Sequence, residues 1–516
     1  MSAQEPYFLT TPIYYVNDLP HLGHAYTSVA CDALARFMRL DGRRVKFLTG
    51  SDEHGQKVEQ SARTAGIAPQ EFCDRISPAW QEMTRLLNIS NDDFIRTTEP
   101  RHIRGVEALW RELERRGEIY LGRFAGWYSV RDEAFYDESE LIEGPNGKKI
   151  APTGADIEWL EEENYFFRLS AWQDRLLDWY EANPDAIAPR GRRNEVISFV
   201  RGGLKDLSIS RTSFSWGIPV PGDPKHVIYV WLDALINYIT ALGYPDMGGE
   251  FGTFWPADLH MVGKDILRFH TVYWHAFLLA AGIEPPKRVF AHGWWTVEGQ
   301  KMSKSLGNFI PPKDLVDKYG LDPVRYFMLR ELPFGNDGDF SHRAVVGRLN
   351  GDLANDFGNL AQRVLAMVNR NCGAKVPEPG GFAAADERLL ELSLRLVHEL
   401  RPLMAEQQFH LALEAIWRVV AEANRYVDEQ APWALRRTDP ARMGTVLYAL
   451  SEVLRHLGIL VQPFVPDAAA DLLDQLAVPL DSRSFKDIAW APGAGRDLPA
   501  PHGIFPRFVE AEAAAG

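Results

Sequence analysis

Two histidines close to the N-terminus carry the first chemical signal in the sequence. In VNDLPHLGHAYTSVA, His21 and His24 flank Gly23 where an apolar run gives way to a helical pattern. A helix that begins there presents unpaired backbone N–H groups, which favour an anion such as phosphate. Gly23 would let a flat group such as a purine ring approach the backbone closely. Taken alone, the tetrapeptide fits a phosphate site, a metal site that needs further ligands, or polar side chains at a helix end.

A second candidate for chemistry lies far downstream. In VEGQKMSKSLGN, Lys301 and Lys304 are interleaved with small hydroxyl residues. Such a loop is flexible and would bring two ammonium groups to one polyphosphate. The alternative is an ordinary solvated basic loop.

An open parallel sheet is the element that would position these residues. Residues 6–16 and 45–50 read as buried strands, and between them apolar side chains recur every three or four residues until Asp41-Gly42. Strand, helix and strand in this order predict a right-handed βαβ unit, with ligands at the carboxyl ends of the strands. Strand patterns in HVIYVWLDA, DLHMVGKD and RVFAHGWW predict a second half of the same sheet.

The chain is expected to divide into four ranges. Residues 1–117 and 221–345 form two halves of a Rossmann-like α/β domain, and the irregular, acidic range 118–220 is a domain inserted between them. Residues 346–516 form an all-α helix bundle with a C-terminal tail that runs over the surface. The bundle is predicted from one buried helix stripe with alternating spacings of four and three residues, namely Phe409, Leu413, Ile416, Val420, Ala423 and Val427.

Composition narrows the class of protein. The 516 residues are 46% hydrophobic and 24% charged, which is typical of a folded globular chain. No apolar run reaches the length of a membrane helix, and the N-terminus has no signal-peptide pattern, so a soluble cytoplasmic protein is expected. Cys31, Cys73 and Cys372 are few and far apart, which predicts no disulfide and no cysteine metal site. The net charge of −14 argues against indiscriminate nucleic-acid binding but allows one basic face.

Together, HLGH and KMSKS resemble the two signature motifs of the class I aminoacyl-tRNA synthetase family. TTPIYYVNDLPHLGH, FLTGSDEHG, YVWLDALINYI, VGKDILRFHTVYW and HGWWTVEGQKMSKS are similar to its methionine-specific members, and the resemblance covers nearly the whole chain. It implies a two-step ligase: the methionine carboxylate attacks the α-phosphate of Mg²⁺-bound ATP, and a terminal ribose hydroxyl of the tRNA then attacks the methionyl-adenylate. The partners that the resemblance implies are initiator and elongator methionine tRNAs, which would make the enzyme serve translation initiation and elongation.

The resemblance implies three sets of site residues. The phosphates of ATP would be stabilised by His21, His24, Lys301 and Lys304, with Gly23, Gly263, Asp265 and His292 completing the ATP site. Methionine would be bound by Ile13, Tyr15, Asp52, Trp231, Ala234, Leu235, Tyr238, Ile266, His270 and Trp274. Aromatic and aliphatic groups suit a polarizable thioether, while Asp52 could pair with the substrate ammonium. The CAU anticodon would be read by Asn359, Arg363 and Trp433 through base-edge hydrogen bonds and stacking. Without the resemblance, these aromatic residues would be interpreted as ordinary core.

One feature departs from the family pattern. Many members carry a zinc-binding knuckle in the inserted domain, built from C-x-x-C pairs. Residues 118–220 contain neither Cys nor His here, and Ser129 and Asp132 stand where such cysteines would be. Because a structural zinc site needs about four nitrogen or sulfur ligands, we predict no zinc and no other resident metal, with the knuckle shape kept by packing.

Other functions are weaker interpretations. An HxGH nucleotidyltransferase would lack KMSKS and the helical third, a non-catalytic tRNA-binding paralogue would lose the active-site set, and a metallohydrolase would need absent metal-ligand clusters. The sequence has no C-terminal tRNA-binding appendage of the kind that dimeric members carry, which favours a monomer. It has no room for a large editing domain either. Because a methylene difference discriminates by only roughly 10- to 200-fold, homocysteine is a candidate for misactivation.

Overall fold

Alternating strands and helices begin the chain. The computed structural model describes residues 4–16, 19–132, 134–144, 147–297, 299–301, 309–489 and 493–510. The first elements are β1 (Pro6–Tyr15), α1 (Leu22–Leu40), β2 (Arg44–Asp52), α2 (Gln56–Ala65), α3 (Pro69–Leu86), β3 (Asp93–Arg96) and α4 (Pro100–Arg115). The stretches predicted as strands at 6–16 and 45–50 and the helix between them are therefore confirmed.

A mostly antiparallel segment follows. Its elements are β4 (Ile119–Ser129), β5 (Ala134–Tyr136), β6 (Ile142–Glu143), β7 (Lys149–Ile150), β8 (Glu158–Phe167), α5 (Gln173–Ala182), β9 (Ile187–Ala188), α6 (Arg190–Arg201), β10 (Leu207–Ser208), β11 (Ser210–Arg211), β12 (Pro219–Val220) and β13 (Asp223–Ile228). The long ribbon of β4 and β8 pairs from Ile119–Phe167 to Tyr128–Glu158. Strand β9 leaves this segment and pairs with the main sheet.

The chain then returns to the first α/β unit. The elements are α7 (Val230–Leu235), α8 (Asn237–Thr240), α9 (Gly249–Phe254), β14 (Leu259–Gly263), α10 (Trp274–Ala281), β15 (Val289–His292), β16 (Trp295–Val297) and β17 (Gln300–Lys301). A π-helical turn, Phe269–Tyr273, precedes α10. The strand predicted in HVIYVWLDA is confirmed only at its start, because β13 ends at Ile228 and α7 begins at Val230. The prediction that this segment belongs to the main sheet was wrong, since β13 pairs with β11 and β12 in a separate three-stranded sheet. A short apolar run does not distinguish a strand from a helix that is buried on all sides.

The main sheet has six parallel strands in the order β3-β2-β1-β14-β15-β9. The chain adds β2 and β3 on one side of β1 and later adds β14 and β15 on the other. The order therefore reverses between β1 and β14, and a crevice forms at the carboxyl ends of the strands there. Apolar residues such as Leu9, Phe47 and Met261 are fully buried in this layer, which fixes the strand register.

The last third is helical. After β17 come α11 (Pro312–Tyr319), α12 (Leu321–Arg330), β18 (Gly338–Phe340), α13 (His342–Arg348), a π-helical stretch (Leu349–Gly358), α14 (Asn359–Asn371), α15 (Ala384–Ala405), α16 (Phe409–Gln430), α17 (Pro432–Thr438), α18 (Pro440–Val461) and α19 (Pro466–Gln475). The predicted stripe on α16 is buried throughout. By length and composition α18 could span a membrane, contrary to the reading of the sequence, but its apolar window is entirely buried as the core helix of the bundle.

A buried ion pair joins helix α1 to the helical third. Arg325 of α12 donates to Asp32 of α1 at 2.6 Å, and both side chains are fully buried. The same guanidinium donates to the backbone carbonyls of Leu87, Pro463 and Phe464. Burial alone would raise the pKa of Asp32, but the charge of Arg325 and the hydrogen bonds to the carboxylate lower it. The helix that begins at HLGH is thus anchored to the base of the bundle.

The tail packs more closely than the sequence suggested. Phe505 lies within van der Waals distance of the position where a Gly358 side chain would begin. Asn350 forms two hydrogen bonds with the backbone of Phe508, of 2.8 and 3.1 Å. The tail is therefore held against the π-helical stretch instead of running freely over the surface.

Candidate active site

The two motif histidines are fixed by the first turn of α1. His21 is the N-cap residue, and its Nδ1 accepts the backbone N–H of Gly23 at 3.0 Å. The Nδ1 of His24 accepts the backbone N–H of His21 at 3.2 Å, and the two ring centroids lie 3.8 Å apart. Because each Nδ1 is an acceptor, each neutral ring carries its proton on Nε2. Burial, together with His21, lowers the pKa of His24 well below its usual value, so His24 is neutral at pH 7.

A cavity of about 470 Å³ opens at the carboxyl ends of β1, β2, β14 and β15. It brings together fifteen of the predicted site residues: Ile13, Tyr15, His21, Gly23, His24, Asp52, Trp231, Ala234, Leu235, Tyr238, Gly263, Asp265, Ile266, His270 and His292. These residues come from both halves of the sheet, so the two halves share one cavity.

One end of the cavity is aromatic and contains a fixed hydrogen-bond chain. His270 Nδ1 lies 2.9 Å from the carbonyl of Ile266, and His270 Nε2 lies 2.7 Å from the hydroxyl of Tyr238. The carbonyl can only accept, so Nδ1 carries the proton and Nε2 accepts the Tyr238 O–H. Burial lowers the pKa of His270 to about 4, which keeps the ring neutral. Trp231 stacks on Phe269 beside it at 3.7 Å.

Trp274 does not line this cavity. Its side chain is fully buried, its ring centroid lies 6.0 Å from that of Tyr238, and its Nε1 lies 3.4 Å from Nε2 of His260. Trp274 therefore forms a second layer behind the wall of the cavity.

Asp52 supplies an acidic group at the same end of the sheet. It is the last residue of β2, pairs in register with Tyr15, and is 8% exposed. A carboxylate there can hold an ammonium group against an otherwise apolar wall.

The other end of the cavity is polar. Trp294 Nε1 donates to Asp265 at 3.1 Å. His292 Nδ1 lies 2.8 Å from the carbonyl of Gly293, and its Nε2 lies 2.7 Å from the Thr27 hydroxyl. Burial lowers the pKa of His292. The pattern of donors and acceptors suits a nucleoside.

Close contacts explain the glycine at the polar end. A Cβ on Gly263 would lie 2.6 Å from Asp265 Oδ1, so a side chain there would displace the carboxylate. The glycine therefore preserves the position of Asp265 at the end of β14.

The cavity also contains residues that the sequence reasoning missed, among them Thr27, Arg131, Asn237 and Trp294. Thr27 lies one turn after His24, so helical spacing could have indicated it. Trp294 lies within the HGWW segment. Arg131 belongs to the inserted segment, and no pattern in the sequence placed it near the sheet.

The lysine loop is only partly described. Lys301 ends β17, which pairs with β16, and its side chain and Lys304 lie outside the described residues. The base of the hairpin is tied to the sheet, since Asp337 accepts the backbone N–H of Trp294 at 2.8 Å and Lys264 donates to Asp337 at 2.6 Å.

The predicted anticodon residues lie on two helices of the bundle. Asn359 begins α14 and is exposed, and Trp433 on α17 is 52% exposed. Arg363 is partly buried and lies 3.3 Å from both Asp428 and Asn424. These interactions hold the guanidinium against α16, whose end leads directly into the turn before Trp433.

The turn between β4 and β5 is held by a carboxylate. Asp132 accepts hydrogen bonds from Ser129 at 3.2 Å, from Tyr136 at 3.0 Å and from Thr153. In the part of the chain that the structure describes, no group of three or more His, Cys, Asp or Glu side chains could hold a metal ion.

Comparisons with known proteins agree with this arrangement. A family model described as tRNA synthetases class I (M) matches residues 7–365, and one described as the anticodon binding domain of methionyl tRNA ligase matches residues 376–514. The chain is 59% identical to the methionine–tRNA ligase of Brucella suis biovar 1 (strain 1330), with 99% of each chain covered. The Rhizobium meliloti (strain 1021) enzyme is 54% identical over 99% of this chain and all of its own.

Solved structures give the same result. Mycobacterium tuberculosis methionyl-tRNA synthetase in complex with methionyl-adenylate superposes with a TM-score of 0.96 at 52% identity, covering 98% of this chain and 100% of its own. The apo form of the same enzyme superposes with a TM-score of 0.90 at 49% identity, covering 98% of this chain and 99% of its own. The chain therefore belongs to the methionine-specific branch of the class I aminoacyl-tRNA synthetases.

Proposed function

We propose that this chain attaches methionine to its tRNA in two steps through a methionyl-adenylate. One observation carries the proposal: the Nε2–H donors at the start of α1 and the Tyr238–His270 pocket belong to one cavity. Phosphate donors and a thioether-sized apolar pocket in the same space suit the reaction between an amino acid carboxylate and ATP. The methionine carboxylate is already an anion, so the first step needs positioning and charge stabilisation more than acid–base catalysis.

The methionine end orients the nucleophile. Asp52 holds the substrate ammonium. The methionine side chain is enclosed by the apolar and aromatic residues Ile13, Tyr15, Trp231, Ala234, Leu235 and Ile266. The Tyr238 hydroxyl donates its proton to His270 Nε2, and this hydrogen bond fixes the orientation of the phenol ring. The aromatic faces of the pocket contact the methionine sulfur. Trp274 supports this wall from behind.

The ATP end stabilises the leaving pyrophosphate. His21 and His24 donate Nε2–H to the phosphates as charge develops, and Gly23 lets the nucleotide approach the helix start. Lys301 and Lys304 close over the β- and γ-phosphates, and Mg²⁺ enters as part of the ATP complex. Gly263, Asp265 and His292 contact the ribose and adenine.

The second step requires the tRNA. Asn359 and Arg363 read base edges of the CAU anticodon, and the exposed indole of Trp433 stacks on a base. Both initiator and elongator methionine tRNAs carry this anticodon, so one enzyme serves initiation and elongation. We propose that it acts as a monomer in the cytoplasm.

Methionine-dependent exchange between ATP and pyrophosphate tests the first step. Exchange with methionine is expected, and faster exchange with another amino acid, or none, would refute the proposal. Asp52→Asn is expected to raise the KM for methionine by about 10-fold or more, because a charge-assisted hydrogen bond is lost. The matched control Asp481→Asn changes an exposed carboxylate in the C-terminal region and is expected to leave the KM unchanged.

Aminoacylation of methionine tRNA tests the anticodon residues. Trp433→Ala is expected to keep the exchange rate and to lower charging by about 10-fold or more, since stacking is worth about 1–3 kcal/mol per base. Phe382→Ala removes another exposed aromatic ring of the bundle, 40% exposed, and serves as the control. Equal loss in both assays with Trp433→Ala would mean that the residue supports the fold.

A further inference from the structure

A fully buried carboxylate lies behind the wall of the methionine pocket. Asp233 belongs to α7, the helix that also contributes Trp231 and Ala234, and its side chain has no solvent exposure. Its Oδ2 lies 2.6 Å from His54 Nδ1, and its Oδ1 lies 2.7 Å from His102 Nε2. Burial alone would raise the pKa of Asp233, but the charge and hydrogen bonds of the two histidines lower it to about 2.

The donors and acceptors of this network follow from the charge. An ionised carboxylate can only accept, so the nitrogens that face it, Nδ1 of His54 and Nε2 of His102, carry protons. In the part of the chain that the structure describes, the ion-pair partners of Asp233 are these two imidazoles, with no lysine or arginine among them. The two histidines therefore both keep the Asp233 carboxylate ionised and supply its hydrogen-bond donors.

The three residues come from three different elements. His54 lies in the loop after β2, two residues beyond Asp52, and His102 lies in the first turn of α4. The network therefore joins the loop that directly follows Asp52, at the end of β2, to the helix that contributes Trp231 and Ala234 to the wall of the pocket.

Close packing holds the third element in place. A Cβ on Gly105 would lie 2.2 Å from Cγ2 of Thr240, so α4 can approach α8 only because this residue is glycine. His102 lies one turn earlier on the same face, and its Nδ1 is 3.0 Å from the Thr240 hydroxyl. His102 is thus fixed on both sides of its ring.

An ionised group in such a place is costly for stability. A buried carboxylate loses its hydration, and well-packed apolar groups of similar volume are often as stable as a buried ion pair or more so. The network instead fixes the relative positions of the elements that it joins. The hydrogen bond from His54 to Asp233 holds the loop after β2 against α7, and the one from His102 holds α4 against α7. The separation between Asp52 and the apolar wall is the length in which an amino acid must fit.

We propose that Asp233, with His54 and His102, is a positioning network that sets the length of the methionine pocket and so contributes to selection of the amino acid. None of the three residues touches the substrate in this role. The proposal rests on the proposed methionine site, since it assigns Asp52 to the ammonium and α7 to the side chain. Loosening the network lets α7 and the end of β2 that carries Asp52 move apart, which weakens methionine binding and relaxes discrimination against amino acids of other lengths.

Matched substitutions at His54 test the proposal in the exchange assay. His54→Asn keeps an N–H donor where Nδ1 stands, and His54→Leu removes the donor with little change in volume. His54→Leu is expected to raise the KM for methionine about 10-fold or more, as for a lost hydrogen bond to a charged group, and to change the KM for ATP less than about 2-fold. His54→Asn is expected to restore most of the methionine KM. In His54→Leu the ratio of kcat/KM for methionine over homocysteine, whose side chain is one methyl group shorter, is expected to fall.

Matched substitutions at His102 give an independent pair. His102→Gln places an amide N–H near the position of Nε2, and His102→Leu does not. His102→Leu is expected to raise the KM for methionine much more than the KM for ATP, as for His54→Leu. His102→Gln is expected to restore most of the methionine KM. If one leucine variant does not fold, the other pair still decides the question.

The outcomes separate this proposal from the proposed function. If the wild type exchanges with methionine and Asp52→Asn raises its KM, the proposed site stands. If His54→Leu and His54→Asn then give the same methionine KM, or if the KM values for methionine and ATP rise together, the positioning role is wrong. If the wild type shows no exchange with methionine, the proposed function fails first.

Discussion

Substitution of Gly23 by alanine should separate catalysis from stability. A Cβ at position 23 would lie 2.9 Å from Cε1 and 3.1 Å from Nδ1 of the His21 ring. Contacts that short require the flexible imidazole to move, because the helix backbone is the stiffer partner. The ring would leave the position in which Nδ1 accepts the Gly23 N–H and in which it lies 3.8 Å from His24.

The expected change in stability is small because two effects oppose each other. Alanine in place of glycine inside a helix gains about 1 kcal/mol, and loss of an N-cap hydrogen bond costs about 1 kcal/mol. The change in rate is large, since losing one preorganised donor to developing charge lowers kcat by about 10²- to 10³-fold. Gly23→Ala should therefore unfold in urea like the wild type and exchange pyrophosphate at least about 100-fold more slowly at saturating substrates.

Two controls make the test specific. Gly191→Ala in α6 adds a methyl group that has no atom within 4 Å apart from its chain neighbours and its own helix backbone, and it should change neither property beyond a small gain in stability. His21→Ala removes the imidazole itself. At saturating ATP, where weaker nucleotide binding no longer limits the rate, the double variant with Gly23→Ala should be no slower than His21→Ala alone, because both changes then act through the His21 ring. A Gly23→Ala rate within about 3-fold of wild type, or additive losses in the double variant, would refute the reasoning.

Two further predictions concern buried charges, and two concern the turn at Asp132. Burial raises the pKa of Asp322 to about 6, so stability falls as pH rises from about 4 to 6, and ionisation at pH 7.5 costs about 3 kcal/mol. Asp322→Asn, which can still accept the Ala468 N–H, should raise the urea midpoint at pH 7.5 and raise it less at pH 5; a gain that does not shrink would contradict this. Arg325→Met should destabilise the protein by about 2–3 kcal/mol in urea unfolding, because Asp32 keeps its ion pair with Arg36 but loses the Arg325 hydrogen bond, and the carbonyls of Leu87, Pro463 and Phe464 lose their donor; an unchanged urea midpoint would contradict this. Asp132→Ala should make the inserted segment more susceptible to limited proteolysis, and elemental analysis of the wild type should find no stoichiometric zinc, one tightly bound equivalent being the contrary result.

Local patterns were enough for the first βαβ unit and for the HLGH turn. Strand β1, the apolar stripe of α1 and Gly23 are close together in the sequence, so the spacing of their residues predicts their relative positions in the fold. The strand predicted through Trp231 failed because an apolar run of that length suits both a strand and a buried helix. Trp274 was assigned to the pocket from the family resemblance, but a shared motif does not reveal which layer of packing a side chain occupies, and Trp274 is fully buried behind the cavity wall.

Contacts between distant segments could not be predicted from one sequence. Residues 54, 102 and 233 meet only because α4, α7 and the β2 loop pack together, and none of the three stands in a local pattern that indicates the other two. Arg131 reaches the cavity for the same reason, from a segment that the sequence suggested only as an insertion. Long-range packing, not residue type, decides these positions.

The turn held by Asp132 affects the conditions in which the protein can work. A knuckle built on zinc and thiolates is open to chelators and to oxidants, which attack thiolate sulfur. Hydroxyl groups and a carboxylate undergo neither reaction, and Ser129, Tyr136 and Thr153 remain bonded to Asp132 without a dissociable ion. We therefore expect the hydrogen bonds of this turn to persist when the protein is treated with a zinc chelator or with peroxide.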